Sequence, residues 1–77
     1  MPSNKQQILE MECRKNLDKV LMTALPSIGE LLLTDVIREA VLQYPVSPGF
    51  VRRFIMDFYV DAGVVKLQDD VLTPVRK

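Results

Sequence analysis

The sequence predicts one α+β domain that is mainly α, with three helices, a C-terminal two-stranded β-hairpin and a candidate short strand before the second helix. Three observations predict this class. Apolar residues recur at helical spacing in three separate segments. Tyr44-Pro45 ends the second segment just before a strong helix start at Ser47. Two β-prone runs then flank Asp69 and Asp70.

Composition limits the classes of function. The chain has 77 residues, 48% of them apolar, so residues 1–77 suit a single domain with one modest core. It has no histidine, and its one cysteine, Cys13, lies among apolar residues and is interpreted as a core residue. No nucleophile stands beside a base, and no phosphate loop or metal-ligand spacing occurs. We therefore expect no enzyme activity, no catalytic residue, no cofactor, no metal site and no small-molecule substrate.

Charge and hydropathy limit the kinds of partner that the chain is expected to bind. No apolar run approaches the roughly 20 residues that cross a bilayer, and the first residues are polar, so a soluble cytoplasmic protein with no membrane partner is predicted. The formal net charge is zero, whereas many small nucleic-acid-binding domains are strongly basic. Binding to nucleic acid would therefore require positive charge concentrated on one face.

The first predicted helix runs from about residue 4 to 25, with Ser3 as N-cap and Pro26 as its end. Its apolar stripe consists of Leu9, Cys13, Leu17, Val20, Leu21 and Ala24. Three further apolar side chains fall outside that stripe: Ile8, Met11 and Met22. This surplus indicates either a homodimer that pairs through this helix or longer packing within the same domain.

A short apolar run at Glu30 to Leu33 could form a brief strand before the second helix. Thr34 is predicted to cap that helix, which covers about residues 35–43. Tyr44 ends it, because a residue before proline is biased away from helical geometry.

The third helix has the clearest limits, at about residues 48–62. Ser47 is its predicted N-cap, Pro48 its first residue and Gly63 its left-handed C-cap. Its buried face is predicted to comprise Val51, Ile55, Phe58 and Ala62, with Phe54 beside them. The short link from the second helix makes this pair typical of a helix-turn-helix motif. A hairpin follows at about residues 64–74, with Asp69 and Asp70 at its turn.

From Leu33 the row LTDVIREAVLQYPVSPGFVRRFIMDFYVDAGVVKLQDDVLTP resembles the winged helix-turn-helix domains of small bacterial and archaeal regulators. The resemblance is carried by Thr34, Val46-Ser47, Val51-Arg52-Arg53, Ala62-Gly63-Val64-Val65 and Leu72-Thr73-Pro74. It implies a DNA-binding protein of transcription regulation, with the third helix as recognition helix and the hairpin as wing. The same fold also hosts domains that bind only other proteins.

If double-stranded DNA is the partner, arginine side chains early on the third helix would reach a groove, while hydroxyl, amide and lysine groups would hold phosphates. The predicted DNA-binding residues are Ser47, Gly49, Arg52, Arg53, Lys66, Arg76 and Lys77. A monomer with so few cations would bind DNA weakly at physiological salt, so a homodimer through the first helix would be needed for useful affinity. The alternative for Arg52 and Arg53 is that they only solubilise the helix or pair with Asp57.

The alternative function is a protein-protein interaction module without nucleic-acid binding. The sequence departs from the family's DNA-binding pattern at Phe50 and Met56, and its predicted wing tip, Asp69-Asp70, is acidic. An apolar patch on the first and third helices would then meet a partner protein. Its predicted members are Phe50, Met56, Val60, Ile8 and Met11. Alternatively, Phe50 and Val60 pack within the domain.

Overall fold

The computed structural model describes residues 4–75, which form three helices and a small three-stranded antiparallel sheet. Helix α1 runs through Asn4–Lys19, a π-helical turn at Val20–Ala24 and a last turn at Leu25–Ile28. Helix α2 is Leu33–Gln43, and helix α3 is Pro48–Ile55 followed by a π-helical turn at Met56–Val60. The strands are β1 (Leu31–Leu32), β2 (Val65–Gln68) and β3 (Val71–Pro74). The predicted class, α+β and mainly α, is confirmed, as is a short strand before α2.

The prediction that Pro26 ends the first helix is wrong. The N–H of Leu25 donates to the carbonyl of Val20, five residues earlier, which closes the π-helical turn. Pro26 then lies at the start of the next helical turn, where its missing N–H costs little. The helix ends instead at Gly29, whose φ of 102° suits glycine and whose N–H donates to Leu25 O at 2.7 Å.

The π-helical turn keeps one row of α1 side chains in the core. Cys13, Leu17, Leu21 and Leu25 are each 1% exposed or less and follow one another at four-residue steps. On an α-helix of 3.6 residues per turn, each such step drifts by about 40° around the axis. A π-helical turn holds more residues per turn and so offsets much of that drift. As a result, the row still faces the core three turns later.

A π-helical turn also determines which residues of α3 are buried, and they differ from the predicted set. Val51, Ile55 and Tyr59 are buried at four-residue steps, and the π-helical turn at Met56–Val60 contains the last of them. The prediction was therefore wrong for Phe58, which is 60% exposed, and for Ala62, which lies exposed beyond the helix. Gly63 has the predicted left-handed conformation, with φ 78°.

Twelve buried apolar residues make one core to which every helix and strands β2 and β3 contribute. Cys13 is fully buried within it, as predicted. Burial raises the pKa of its thiol, so the uncharged form is favoured. The core comprises Cys13, Leu17, Leu21, Leu25, Leu33, Val36, Ala40, Val51, Ile55, Tyr59, Val65 and Leu72.

Strand β3 is the centre of the sheet, paired antiparallel to β1 on one side and β2 on the other. Leu72 lies opposite both Leu31 and Leu67. Between β2 and β3, Asp69 and Asp70 have φ of 52° and 67°, as a two-residue hairpin turn requires. The predicted hairpin is confirmed.

The hairpin turn caps helix α2. Thr34 Oγ1 donates to Asp70 Oδ2 at 2.7 Å, and Leu33 N donates to Asp70 O at 2.8 Å. Thr34 N also lies 3.4 Å from Asp70 Oδ2. The prediction of Thr34 as N-cap is wrong, because α2 begins at Leu33 with Leu32 in the cap position and no side-chain cap from it. The distant turn satisfies the first two amides instead. Leu33 N donates to the Asp70 carbonyl and Thr34 N to the Asp70 carboxylate, whose charge also favours that helix end.

We predict that Asp70→Gly lowers the free energy of unfolding by about 0.5–2 kcal/mol, the usual range for loss of a cap. Glycine keeps the positive φ available, so the loss reports the cap rather than strain. The matched control is Asp69→Gly, which removes the neighbouring carboxylate but no capping bond, and should leave stability nearly unchanged. Urea unfolding measures both. Equal losses in the two variants would contradict the capping role.

Candidate functional site

Helix α3 begins as the sequence predicts. Ser47 has extended backbone geometry, and its Oγ accepts a hydrogen bond from Phe50 N at 3.1 Å. Pro48 is the first helical residue. Gly49 is exposed, and a Cβ placed there would have Ser47 Oγ at 4.0 Å as its nearest neighbour. Packing within the chain therefore does not require glycine at this position.

Arg52 and Arg53 are both exposed on the first turns of α3. Within residues 4–75 the only ion pair is Arg38–Asp35 on α2, at 3.8 Å. The alternative that Arg52 or Arg53 pairs with Asp57 is therefore not found in the structure. Adjacent residues of a helix are about 100° apart around its axis, so the two side chains leave α3 in different directions.

The described part of the hairpin combines one exposed lysine with an acidic turn. Lys66 is exposed on β2, where it lies opposite Thr73. Asp70 is held by Thr34 at the N-terminus of α2, so the turn is acidic and part of the fold. Arg76 and Lys77, the other predicted phosphate ligands, lie outside the described residues.

The predicted protein-interaction residues divide into two groups. Phe50 and Val60 are partly buried and pack against the core, which was the alternative for them. Met56 is also partly buried. Ile8 and Met11 on α1 are exposed by 55% and 53%. The predicted apolar patch thus combines exposed residues of α1 with partly buried residues of α3, and its role in binding a partner protein stays a prediction.

A different patch, which we call the α1–α3 groove, lies where Arg14 of α1 meets the aromatic side of α3. The Arg14 guanidinium carbon lies 5.5 Å from the Phe50 ring centroid and 5.7 Å from that of Phe54. The centroids of the Phe54 and Phe58 rings are 5.1 Å apart, so one side of the exposed Phe58 ring contacts Phe54. The groove has a volume of about 160 Å³ and is lined by Arg14, Phe50, Arg53, Phe54, Asp57 and Phe58.

Sequence reasoning missed this groove for an identifiable reason. Phe58 was assigned to the buried face, and Arg14 lies outside the predicted apolar stripe of α1. The four-residue row of Val51, Ile55 and Tyr59 was the signal that could have placed Phe58 outside. The stacking of Arg14 on Phe50 and Phe54 follows only from how α1 and α3 pack.

One hydrogen bond fixes α3 against α1 beside the groove. Tyr59 Oη donates to Asp18 Oδ1 at 2.6 Å, and the Tyr59 side chain is otherwise buried. Its ring also meets Phe54 edge to face, with centroids 5.6 Å apart. Burial, followed by the bond to Asp18 and the charge of that carboxylate, raises the pKa of Tyr59 well above its usual range. The Tyr59 hydroxyl therefore stays protonated and keeps the two helices in register.

A second groove of about 160 Å³ lies between α1 and α2. Its floor is apolar, and two exposed carboxylates, Asp35 and Glu39, lie at its edge. Its other lining residues are Asn16, Leu17, Val20, Leu31, Val36 and Ala40.

Neither metal binding nor membrane insertion is indicated for the described part of the chain. Residues 4–75 bring together no group of three or more histidine, cysteine, aspartate or glutamate side chains that could hold a metal ion. No helix within the same residues has the length and apolar character that crossing a membrane requires. Comparison of the chain with protein-family models, with curated proteins and with solved structures finds no match.

Proposed function

We propose that this chain is a winged helix-turn-helix protein that binds double-stranded DNA through α3, as a small transcriptional regulator. The observation that carries the proposal is that Arg52 and Arg53 stand exposed on α3 without an ion-pair partner among residues 4–75. Both guanidiniums are free to meet phosphates or base edges. An arginine fork binds a phosphate or the acceptor edge of guanine with two hydrogen bonds.

The start of α3 adds groups that suit a phosphate. The Ser47 hydroxyl oxygen accepts the Phe50 amide, so its own hydrogen remains available to donate. Gly49 presents no side chain and leaves room for close approach to the backbone. Lys66 would supply a contact from the strand of the hairpin, because the acidic turn is bound to α2. Arg52 and Arg53 would thus determine the base or phosphate contacts, and these groups would orient the helix.

The test is fluorescence anisotropy of a labelled mixed-sequence duplex at low and physiological salt. We predict that Arg52→Ala weakens binding by about tenfold and lowers the slope of log affinity against log salt by about one, as expected for one lost phosphate contact. Arg38→Ala is the matched control, since it removes an exposed arginine from α2 instead. Lack of binding at low salt, or equal losses in the two variants, would contradict the proposal.

The second candidate is a protein-interaction module without nucleic-acid binding, and the exposure of Phe58 favours it. A phenylalanine that is 60% exposed and backed by Phe54 is costly to leave in water, while aromatic side chains are enriched at protein interfaces. This candidate predicts a stable complex and no salt-dependent binding to duplex DNA.

A further inference from the structure

The α1–α3 groove is part of a larger continuous surface. A depression of about 440 Å³ next to it shares Phe50 and Arg53 with the groove and includes Glu10 of α1. A third depression, of about 310 Å³, shares Glu10 with the second and Arg14 with the groove, and adds the exposed Met11. The exposed apolar side chains Phe58 and Met11 therefore belong to one surface that α1 and α3 build together.

Aromatic residues, methionine and arginine contribute much of this surface. These residue types are enriched in protein interfaces, and they are represented here by Phe50, Phe54, Phe58, Met11, Arg14 and Arg53. Phe58 is also pre-organised, because its ring packs against the tilted ring of Phe54, which in turn lies under Arg14. Little side-chain freedom is lost when such a ring is covered.

The charges on this surface indicate which kind of partner binds there. Arg14 and Arg53 stand with Glu10 and Asp57, and none of the four forms an ion pair among residues 4–75. Two cations balanced by two carboxylates disfavour a polyanion such as DNA. The same balance is self-complementary, because under two-fold symmetry each arginine can face a carboxylate of the other copy.

We propose that the occupant is a second copy of this chain, bound through the α1–α3 groove in a two-fold dimer centred on Phe58. The proposal gives the protein-interaction surface of the second candidate function a specific occupant. Arg53 lies within this surface, so if the dimer also binds DNA, Arg52 makes the arginine contact. Arg52 lines none of the three depressions, so the dimer leaves its guanidinium outside the interface.

Sedimentation equilibrium of the full chain without DNA tests the proposal over a range of concentrations. The wild type should dimerise, and Phe58→Ser should raise the dissociation constant about tenfold or more, as expected for loss of an interface anchor. Leu42→Ser is the matched control, because Leu42 is 73% exposed on α2 and should leave dimerisation unchanged. A wild type that stays monomeric up to millimolar concentration overturns the dimer, and unchanged affinity in Phe58→Ser overturns this interface.

Charge variants provide a second test that loss of folding cannot mimic. Arg53→Glu makes the surface net acidic and Asp57→Lys makes it net basic, so each variant should repel its own copies and dimerise about tenfold more weakly or worse. Mixed together, the two should form a heterodimer more readily than either forms a homodimer. Failure of the mixture to associate would overturn the two-fold arrangement. Phe58→Ser separates the two proposals, because it should weaken the dimer while leaving both Arg52 and Arg53 in place for salt-dependent DNA binding.

Discussion

Replacing Tyr59 with alanine is expected to lower the free energy of unfolding by about 3–5 kcal/mol, the range for truncating a buried aromatic side chain. Tyr59 is 5% exposed, packs on Phe54 and donates a hydrogen bond to Asp18, so the variant loses apolar burial, a ring contact and a link between α1 and α3. A loss of this size is comparable to the whole stability of many domains of this length. The variant should therefore be largely unfolded at 37 °C.

The matched control is Phe58→Ala on the same helix. Phe58 is 60% exposed, and its replacement should cost about 0.5 kcal/mol or less as an exposed substitution. Urea unfolding followed by circular dichroism measures both, at a dilution at which the chain is monomeric. A larger loss for Phe58→Ala than for Tyr59→Ala would contradict the placement of the buried row on α3.

The second large effect is expected on the free energy of unfolding at alkaline pH. The folded state raises the pKa of Tyr59, whereas in the unfolded chain the group ionises near its usual value of about 10. Between those two values the folded state binds more protons than the unfolded state, so the free energy of unfolding falls as pH rises. The stabilisation from Tyr59 is thus fully present below about pH 10 and is lost as pH climbs towards the raised pKa.

Tyr59→Phe isolates this contribution. Below about pH 10 the variant should be less stable than the wild type by about 1 kcal/mol, because the bond to the exposed Asp18 carboxylate is lost without leaving a buried group unpaired. Above that pH the wild type should decline more steeply, and the two curves should converge or cross. Tyr44→Phe, which retains Tyr59, should keep the steeper decline. Parallel curves for wild type and Tyr59→Phe between pH 7 and 11.5 would contradict the mechanism.

Features with local causes could be predicted from the sequence. Ser47 caps α3 because its hydroxyl reaches an amide three residues ahead, and Tyr44 ends α2 because a proline follows it. Gly63 takes the left-handed conformation that ends α3. Exposure of Arg52 also followed from its position outside the apolar row. Each of these outcomes depends on residues within one or two turns.

Other features depended on distant packing, and here prediction failed. Pro26 does not end α1, because a π-helical turn lets the helix continue and keeps Leu25 in the core row. Phe58 lies outside and Tyr59 inside for the same reason on α3. Burying a complete row of apolar side chains stabilises the fold by more than the poorer hydrogen-bond geometry of one π-helical turn costs. Helical periodicity in the sequence does not show which of these two energies is larger.

The sequence by itself thus determined the class of the fold, the start of α3 and the exposure of its two arginines. Only the tertiary structure decided that Asp70 caps α2 and that Arg14 covers Phe50 and Phe54 to form the α1–α3 groove. Those contacts join residues far apart in the chain, whose side chains meet only after the helices and the hairpin have packed on the common core. Local propensity and spacing report what a segment prefers, whereas such contacts depend on where the whole core places each segment.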